Sequence, residues 1–177
     1  MRKHGGRGNA TIEFTLVGIP LVFVLISTIE MARGMWIYHT LGYAIKEGTR
    51  YAVARGQNNT PLNHSTYQRV CSAIIQAGAG LVKDDLSLTF QSATQTKSFS
   101  NGNDCLADTD QWPPGAAAAK IDDQAGQTIS ITGYYPFVST ISMFWPGAGK
   151  GMQFNKLTCQ GSGTLCLPAA SQDVMQF

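Results

Sequence analysis

Charge is scarce in this sequence of 177 residues: Asp, Glu, Lys and Arg make up 14%, against roughly 25% in average soluble proteins. The deficit is local. Residues 14–29 contain no charge at all, which argues against a uniformly soluble globule. A basic surface is missing too. The formal charge is +2, but Arg2, Lys3 and Arg7 hold three of the thirteen Lys and Arg residues. Ten then remain after Gly8 against eleven Asp and Glu, a balance of −1. No basic patch is left to neutralise phosphates, so nucleic acid is not an expected partner. Metal-ligand spacing is absent: there is no C-x-x-C, and the histidines are scattered at 4, 39 and 64, so zinc is a poor reading and no metal is expected.

Catalytic constellations are lacking as well. Lys150, in the Gly-rich stretch 146–151, has Phe144 and Gly151 where a phosphate loop needs Gly and Ser/Thr, so the stretch reads as a turn. Asp84-Asp85 and Asp122-Asp123 are adjacent pairs, whose side chains point apart on a strand or loop. They read as solvated turn residues, or at most weak calcium contacts. His64-Ser65 with a distant Asp makes no triad. Asn58 and Asn63 match a glycosylation pattern that is common by chance. Neither catalysis nor a cofactor is expected. Disorder fits segments only, because 44% of the residues are apolar and can bury a core.

What the sequence does have is a basic start followed by an apolar run. Residues 10–29 would form a helix of about 30 Å, the thickness of a bilayer's hydrocarbon core. The positive-inside rule places the Arg2/Lys3/Arg7 end in the cytoplasm. Glu30 and Arg33 then sit at the far interface, with Trp36 and Tyr38 as anchors behind them. A cleaved signal peptide is not expected, because the run is slightly long and no A-x-A site follows it. Two residues are out of place. Glu13 costs a few kcal/mol inside the membrane, so it either snorkels to the interface or has a functional partner. Pro20 is better tolerated in a membrane helix than in a soluble one, and would kink it or leave a melted turn.

Helical patterning continues beyond the apolar run, with an expected span of about 10–55 and a stop at Gly56. Gly34, Tyr38, Leu41, Ile45 and Ala52 are spaced to share a face. Arg33, Lys46, Glu47 and Arg50 fall opposite, with Glu30/Arg33 and Glu47/Arg50 as i,i+3 pairs. Ala44, Gly48 and Ala52 form a ladder of small residues that permits close approach by another helix. Its two readings are packing between chains and packing on the protein's own C-terminal domain.

These residues resemble a known family. Arg7-Gly8-Asn-Ala-Thr-Ile-Glu13-Phe14-Thr-Leu16, then Pro20, then Ile29-Glu30-Met-Ala-Arg33, then Lys46-Glu47-Gly48-Thr-Arg50-Tyr51-Ala52 are similar to the TadE-like proteins. These are minor pilins, or pseudopilins, of tight-adherence (Flp-type) pili. The resemblance is close over about 7–55 and loose over the later strands. Thr15 departs from the Ala usual in the family, with no evident consequence. The resemblance implies a cut by a prepilin peptidase between Gly8 and Asn9, with Gly8 letting an extended backbone into a narrow site. It also implies that Glu13 pairs with the new α-amine, in its own chain or a neighbour's. The implied setting is the bacterial inner membrane, and the implied partners are the peptidase, other pilins and the assembly platform.

Behind the helix, residues 57–63 read as a loop. Ser65-Thr-Tyr-Gln68 has capping-box spacing for a short helix in which Tyr67, Val70, Cys71 and Ile74 share a face and Gly78 is the stop. Residues 86–90 and 128–135 alternate as strands and are expected to pair antiparallel. Between them lies a polar stretch, 92–127, expected to be loop with one helical turn at 116–119. The apolar run 136–146 is too short to span a bilayer. It either covers the sheet, the reading preferred here, or presents Phe144 and Trp145 to a partner or the membrane surface. Cys71, Cys105, Cys159 and Cys166 all follow the span and would lie where disulfides are permitted. Of three pairings, Cys71–Cys105 with Cys159–Cys166 is preferred, because the second loop is short.

The expected architecture is therefore α+β: a long N-terminal transmembrane and amphipathic helix followed by a small periplasmic head with a short antiparallel sheet. Its parts are a basic leader (1–8), a membrane span (9–30), an amphipathic continuation (31–56) and the head (57–177). The expected function is that of a processed minor pilin, in the fibre or at its base. The alternative is a signal-anchored periplasmic binding module unrelated to pili. A membrane-tethered hydrolase has no supporting constellation.

Overall fold

Forty-seven residues that hold Gly only singly, and Pro only at position 20, form one helix, α1 (Arg7–Val53). The computed structural model describes residues 7–55, 65–115, 122–137 and 166–175. At 1.5 Å per residue α1 is about 70 Å long. The helical assignment runs through Pro20 without a melted turn, although Pro20 has no N–H to offer the Leu16 carbonyl. The remaining elements are α2 (Tyr67–Ala77), a 3₁₀ turn (Lys83–Asp85), β1 (Ser87–Gln91), β2 (Thr96–Phe99), α3 (Gly102–Ala107), β3 (Thr128–Pro136) and β4 (Cys166–Val174). The strands form one antiparallel sheet in the order β2-β1-β3-β4. The expected pair is β1 with β3, in a register that sets Thr89 opposite Thr132.

The sheet turns one face to the helices. Leu88 and Phe90 of β1, Ile129 and Ile131 of β3 and Phe99 of β2 alternate inward and are buried, as a half-covered sheet requires. Against them lie the outer half of α1, buried at Ile37, Leu41, Ala44, Ile45 and Ala52, and the buried face of α2, formed by Tyr67, Val70, Cys71 and Ile74. Gly133 marks the crossing of α1 over the sheet. A Cβ there would stand 2.6 Å from Ile45 Cδ1, so only glycine admits the helix at this distance.

Several expectations are corrected. Tyr38 is off the buried stripe and half exposed, because the stripe is centred on 37, 41, 44, 45, 48 and 52. The Glu30–Arg33 pair forms at 3.3 Å, but among the described residues Glu47 and Arg50 make no ion pair; such exposed pairs are worth only a few tenths of a kcal/mol. The α2 cap is Thr66 rather than Ser65: its hydroxyl accepts the Arg69 N–H. Gly78 ends the helix, its N–H bonded to the Ile74 carbonyl. The polar stretch 92–127 is not a long loop, since it holds β2, α3 and the fully buried Trp112. Residues 116–119 and the run from 138 to 146 lie outside the described residues, as do the 146–151 turn, His64, Asn58 and Asn63. Phe137, the last described residue before that run, packs on the core.

Asp122 is not a solvated turn residue either. It is fully buried, and its Oδ2 accepts the Thr94 N–H at 2.9 Å and the Thr94 hydroxyl at 2.7 Å. This ties the β1–β2 turn to the segment that enters β3. Burial, with Asp122 alongside, pushes the Asp123 carboxyl above its ordinary value.

Candidate functional site: the N-terminal helix and its junction with the head

Residues 12–35 carry the apolar surface that a soluble protein would hide. Phe14, Leu16, Leu21, Phe23 and Leu25 are all at least half exposed. The hydroxyls in this stretch are satisfied within the helix. Thr15 Oγ1 donates to the Ile12 carbonyl at 2.9 Å, Ser27 Oγ to Phe23 and Thr28 Oγ1 to Val24, both at 2.8 Å. A polar side chain bonded back to its own helix loses little when water is removed. The helix is long and apolar enough to cross a membrane, and none of its most apolar stretch is buried. Phe14, Gly18, Val22 and Ile26 line a shallow apolar groove on this half, with Gly18 opening its floor. Gly18 was not among the expected packing residues, although its spacing from Phe14 and Val22 is the helical signal for it.

The expected processing residues lie at the start of α1. Gly8 and Asn9 are in its first turn, so the bond between them is helical rather than extended. Glu13 is exposed one turn further on. Pro20, seven positions later, lies on nearly the same line of the helix as Glu13 and is also exposed.

The small-residue ladder is placed differently. Ala44, Gly48 and Ala52 are buried against the chain's own head. A Cβ on Gly48 would overlap Ile74 and stand 3.6 Å from Val70 Cγ1. The helix that makes the close approach is thus α2. Its position is held from the other side by the Cys71–Cys105 disulfide, with a Cα–Cα distance of 6.2 Å, which joins α2 to α3. Cys166 is also disulfide-bonded. Cys159, its expected partner, lies outside the described residues.

A charged cluster closes the far side of α2. Lys97 Nζ pairs with Asp108 and, at 3.2 Å, with Asp110. It also stands 4.9 Å from the centroid of the Tyr67 ring, a favourable cation–π placement. Tyr67, Phe90, Phe99 and Trp112 pack beneath as an edge-to-face cluster, with Phe90 and Trp112 centroids 4.9 Å apart. The hydrogen bond to Asp108, with further help from Asp110, raises the Lys97 amine above its ordinary value despite partial burial. Burial alone would push Asp108 up, but Lys97 and the Asp110 backbone N–H together hold it below the ordinary carboxyl range. Burial raises the Tyr67 phenol, and the two carboxylates add to that. This constellation braces the head. Among the described residues, no group of three or more His, Cys, Asp or Glu side chains gathers to hold a metal.

A bare apolar half-helix continuous with an α+β head describes a protein that fits a single-pass membrane anchor. Residues 8–50 match the family of TadE-like proteins, so the N-terminal helix is TadE-like and points to a protein associated with a Tad pilus. The match ends at residue 50; α2, α3 and the whole sheet lie beyond it. No curated protein and no solved structure matches the chain.

Proposed function

We propose that this chain is a minor pilin, or pseudopilin, of a tight-adherence pilus system. Arg2, Lys3 and Arg7 hold the N-terminus in the cytoplasm, α1 crosses the inner membrane once, and the head stands in the periplasm. A prepilin peptidase cuts between Gly8 and Asn9. The first turn must open to enter a protease site. Its N–H groups have no intrahelical partners, and Gly8 weakens it by about 1 kcal/mol relative to Ala. The cut leaves an α-amine on Asn9, whose ordinary pKa is about 7.7–8.0. That cation pairs with Glu13, four residues on and on the same face, or with Glu13 of a neighbouring pilin. Either pairing offsets the cost of a carboxylate in the membrane. The head occupies the outer half of α1, so lateral packing with other pilins falls to the inner half and its Gly18 groove, where a small residue admits a second backbone. The protein catalyses nothing. It helps to initiate or cap the fibre, or serves in the platform beneath it.

The observation that carries this reading is the TadE-like match on a helix whose outer half is core and whose inner half exposes its apolar side chains, Phe14 to Leu25 among them. Mass spectrometry of the protein extracted from membranes of cells that contain the peptidase tests it: the expected N-terminus is Asn9. A chain that still begins at Met1 favours a signal-anchored module instead. The companion variant Glu13→Leu is expected to insert normally and to abolish pilus assembly; normal piliation by it would refute the pairing role.

A further inference from the structure

The head joins α1 with no stalk. The first core residue of the outer half is Ile37, and two separate elements reach below it. Phe137, which follows β3, lies against Gly34, with ring atoms 3.4 Å from where a Cβ would stand. The turn after α2 reaches the same level. This helix descends antiparallel to α1: Ile74 sits at Gly48, Gly78 at Ala44, and Gly80 beneath the Trp36 ring. Gly80 has φ +85, and a side chain there would meet the Trp36 indole, so the tight turn is closed against the helix. Val82 projects outward from it, 51% exposed, while the Tyr135 hydroxyl holds its backbone N–H at 3.2 Å.

The heights can be compared with a bilayer. If residues 10–29 fill the hydrocarbon, Trp36 stands about 10 Å beyond it along the helix axis. The headgroup layer on each face is about 5–8 Å thick, from a total of about 40–45 Å around a core of about 30 Å. Gly34, where Phe137 packs, stands only about 7–8 Å beyond the hydrocarbon, and helix side chains lean toward the N-terminus, so the Trp36 ring leans back toward the headgroup layer and the base of the head begins within it. Among the described residues its charges do not select an anionic surface, because Arg33 and Lys83 are outnumbered by Glu30, Asp84 and Asp85. What it offers is aromatic and apolar: Trp36, Val82 and, beside them, Tyr38. Indole and phenol rings favour the interface.

We propose that the base of the head, formed by Trp36 and the 78–82 turn with Val82 at its tip, lies embedded in the phospholipid headgroup layer of the membrane that α1 crosses. The proposal rests on the membrane-anchor reading above. The surface is continuous with the bare half of α1, so lipid that covers residues 12–35 also meets the turn. The opposite end of the head, the β1–β2 turn at 92–95, points away from it, since β1 runs from Ser87, paired with Tyr134 at the base, to Gln91, paired with Ser130 above.

The test uses the full chain in phosphatidylcholine vesicles, with a photoreactive benzophenone side chain replacing Leu25, Val82 or Ala93, one at a time. All three positions are exposed, so none of the variants disturbs the core. Lipid adducts are read by mass. The expected result is strong labelling at Leu25, labelling at Val82 several-fold above Ala93, and background at Ala93. Labelling at Leu25 without Val82 would overturn the docking and leave the anchor standing. No labelling at Leu25 would overturn both. Ala93 labelling equal to Val82 would also overturn the docking, because a head lying flat has no preferred base.

Discussion

The two halves of α1 differ in composition and meet opposite fates. In the inner half, apolar side chains point in every direction, and Phe14 is 77% exposed. In the outer half they keep to one stripe, and Leu41, Ala44 and Ile45 are fully covered by α2 and the sheet. Exposed Lys46 and Arg50 occupy the other side. The difference is one of both amount and arrangement: residues 14–29 carry no charge, whereas the outer half holds Arg33, Lys46, Glu47 and Arg50. A stripe can be covered by one small domain, whereas an all-round apolar surface needs lipid or several other helices. The same reasoning explains where the small residues went. The 44–48–52 ladder lies on the stripe and is used inside the chain, while Gly18 lies on the bare half.

This contrast can be broken most forcefully at the disulfide. Cys71–Cys105 spans 34 residues and holds the helix that covers the outer stripe. By loop entropy it stabilises the head by about 4 kcal/mol. Replacing both cysteines with Ala is expected to lower the urea midpoint of the full chain in detergent micelles, followed by the near-ultraviolet dichroism of the aromatic cluster. Membrane insertion, which depends on the inner half alone, is expected to be unchanged. A matched pair of leucines sharpens the contrast. Leu41→Ala removes a buried side chain and is expected to destabilise the head by about 2–5 kcal/mol. Leu25→Ala, at an exposed position, is expected to leave the same unfolding curve in place. Equal effects at the two sites would mean that the halves are not energetically distinct.

How much of this was legible in the sequence follows from the size of each signal. The long helix could be read because its pattern is sustained over 47 residues. The same holds for β1 and β3, whose alternation between core and solvent is regular, and for α2, which has four core residues at helical spacing. The edge strands β2 and β4 were missed. β2 has four residues and one buried side chain. β4 contains Pro168 and small polar residues, a composition an edge tolerates and a propensity argument discounts. α3 is only six residues long, and its one local signal is the Asn101 side chain accepting the Asp104 N–H. The choice between packing the ladder within the chain and packing it between chains depended on α2 reaching Gly48, a contact over more than twenty residues that no local pattern encodes.

The smallest expected effect concerns pH, and it belongs to the head alone because its charges lie far from the bare half. The Asp108 carboxyl is held below its ordinary value, so its pairing contributes fully above the unfolded value and is lost as pH falls through the folded one. The Lys97 amine is raised, so its contribution is complete below the ordinary amine value and is lost as pH climbs through the folded one. Asp123 runs the other way. Burial raises it, so its contribution to the fold is complete below the ordinary carboxyl value and is lost as pH rises through the folded one. Acidification from neutrality should therefore bring a slight gain from Asp123 before the loss from Asp108. Lys97→Met is expected to cost about 0.5–1 kcal/mol near neutral pH, the scale of a partly exposed pair, and to flatten both the acid and the alkaline limbs of the urea midpoint. Asp123→Asn is expected to remove only the slight gain. If Lys97→Met shifts the whole profile down without changing its shape, the lysine acts through its packing on Tyr67 and Phe99 rather than through its charge.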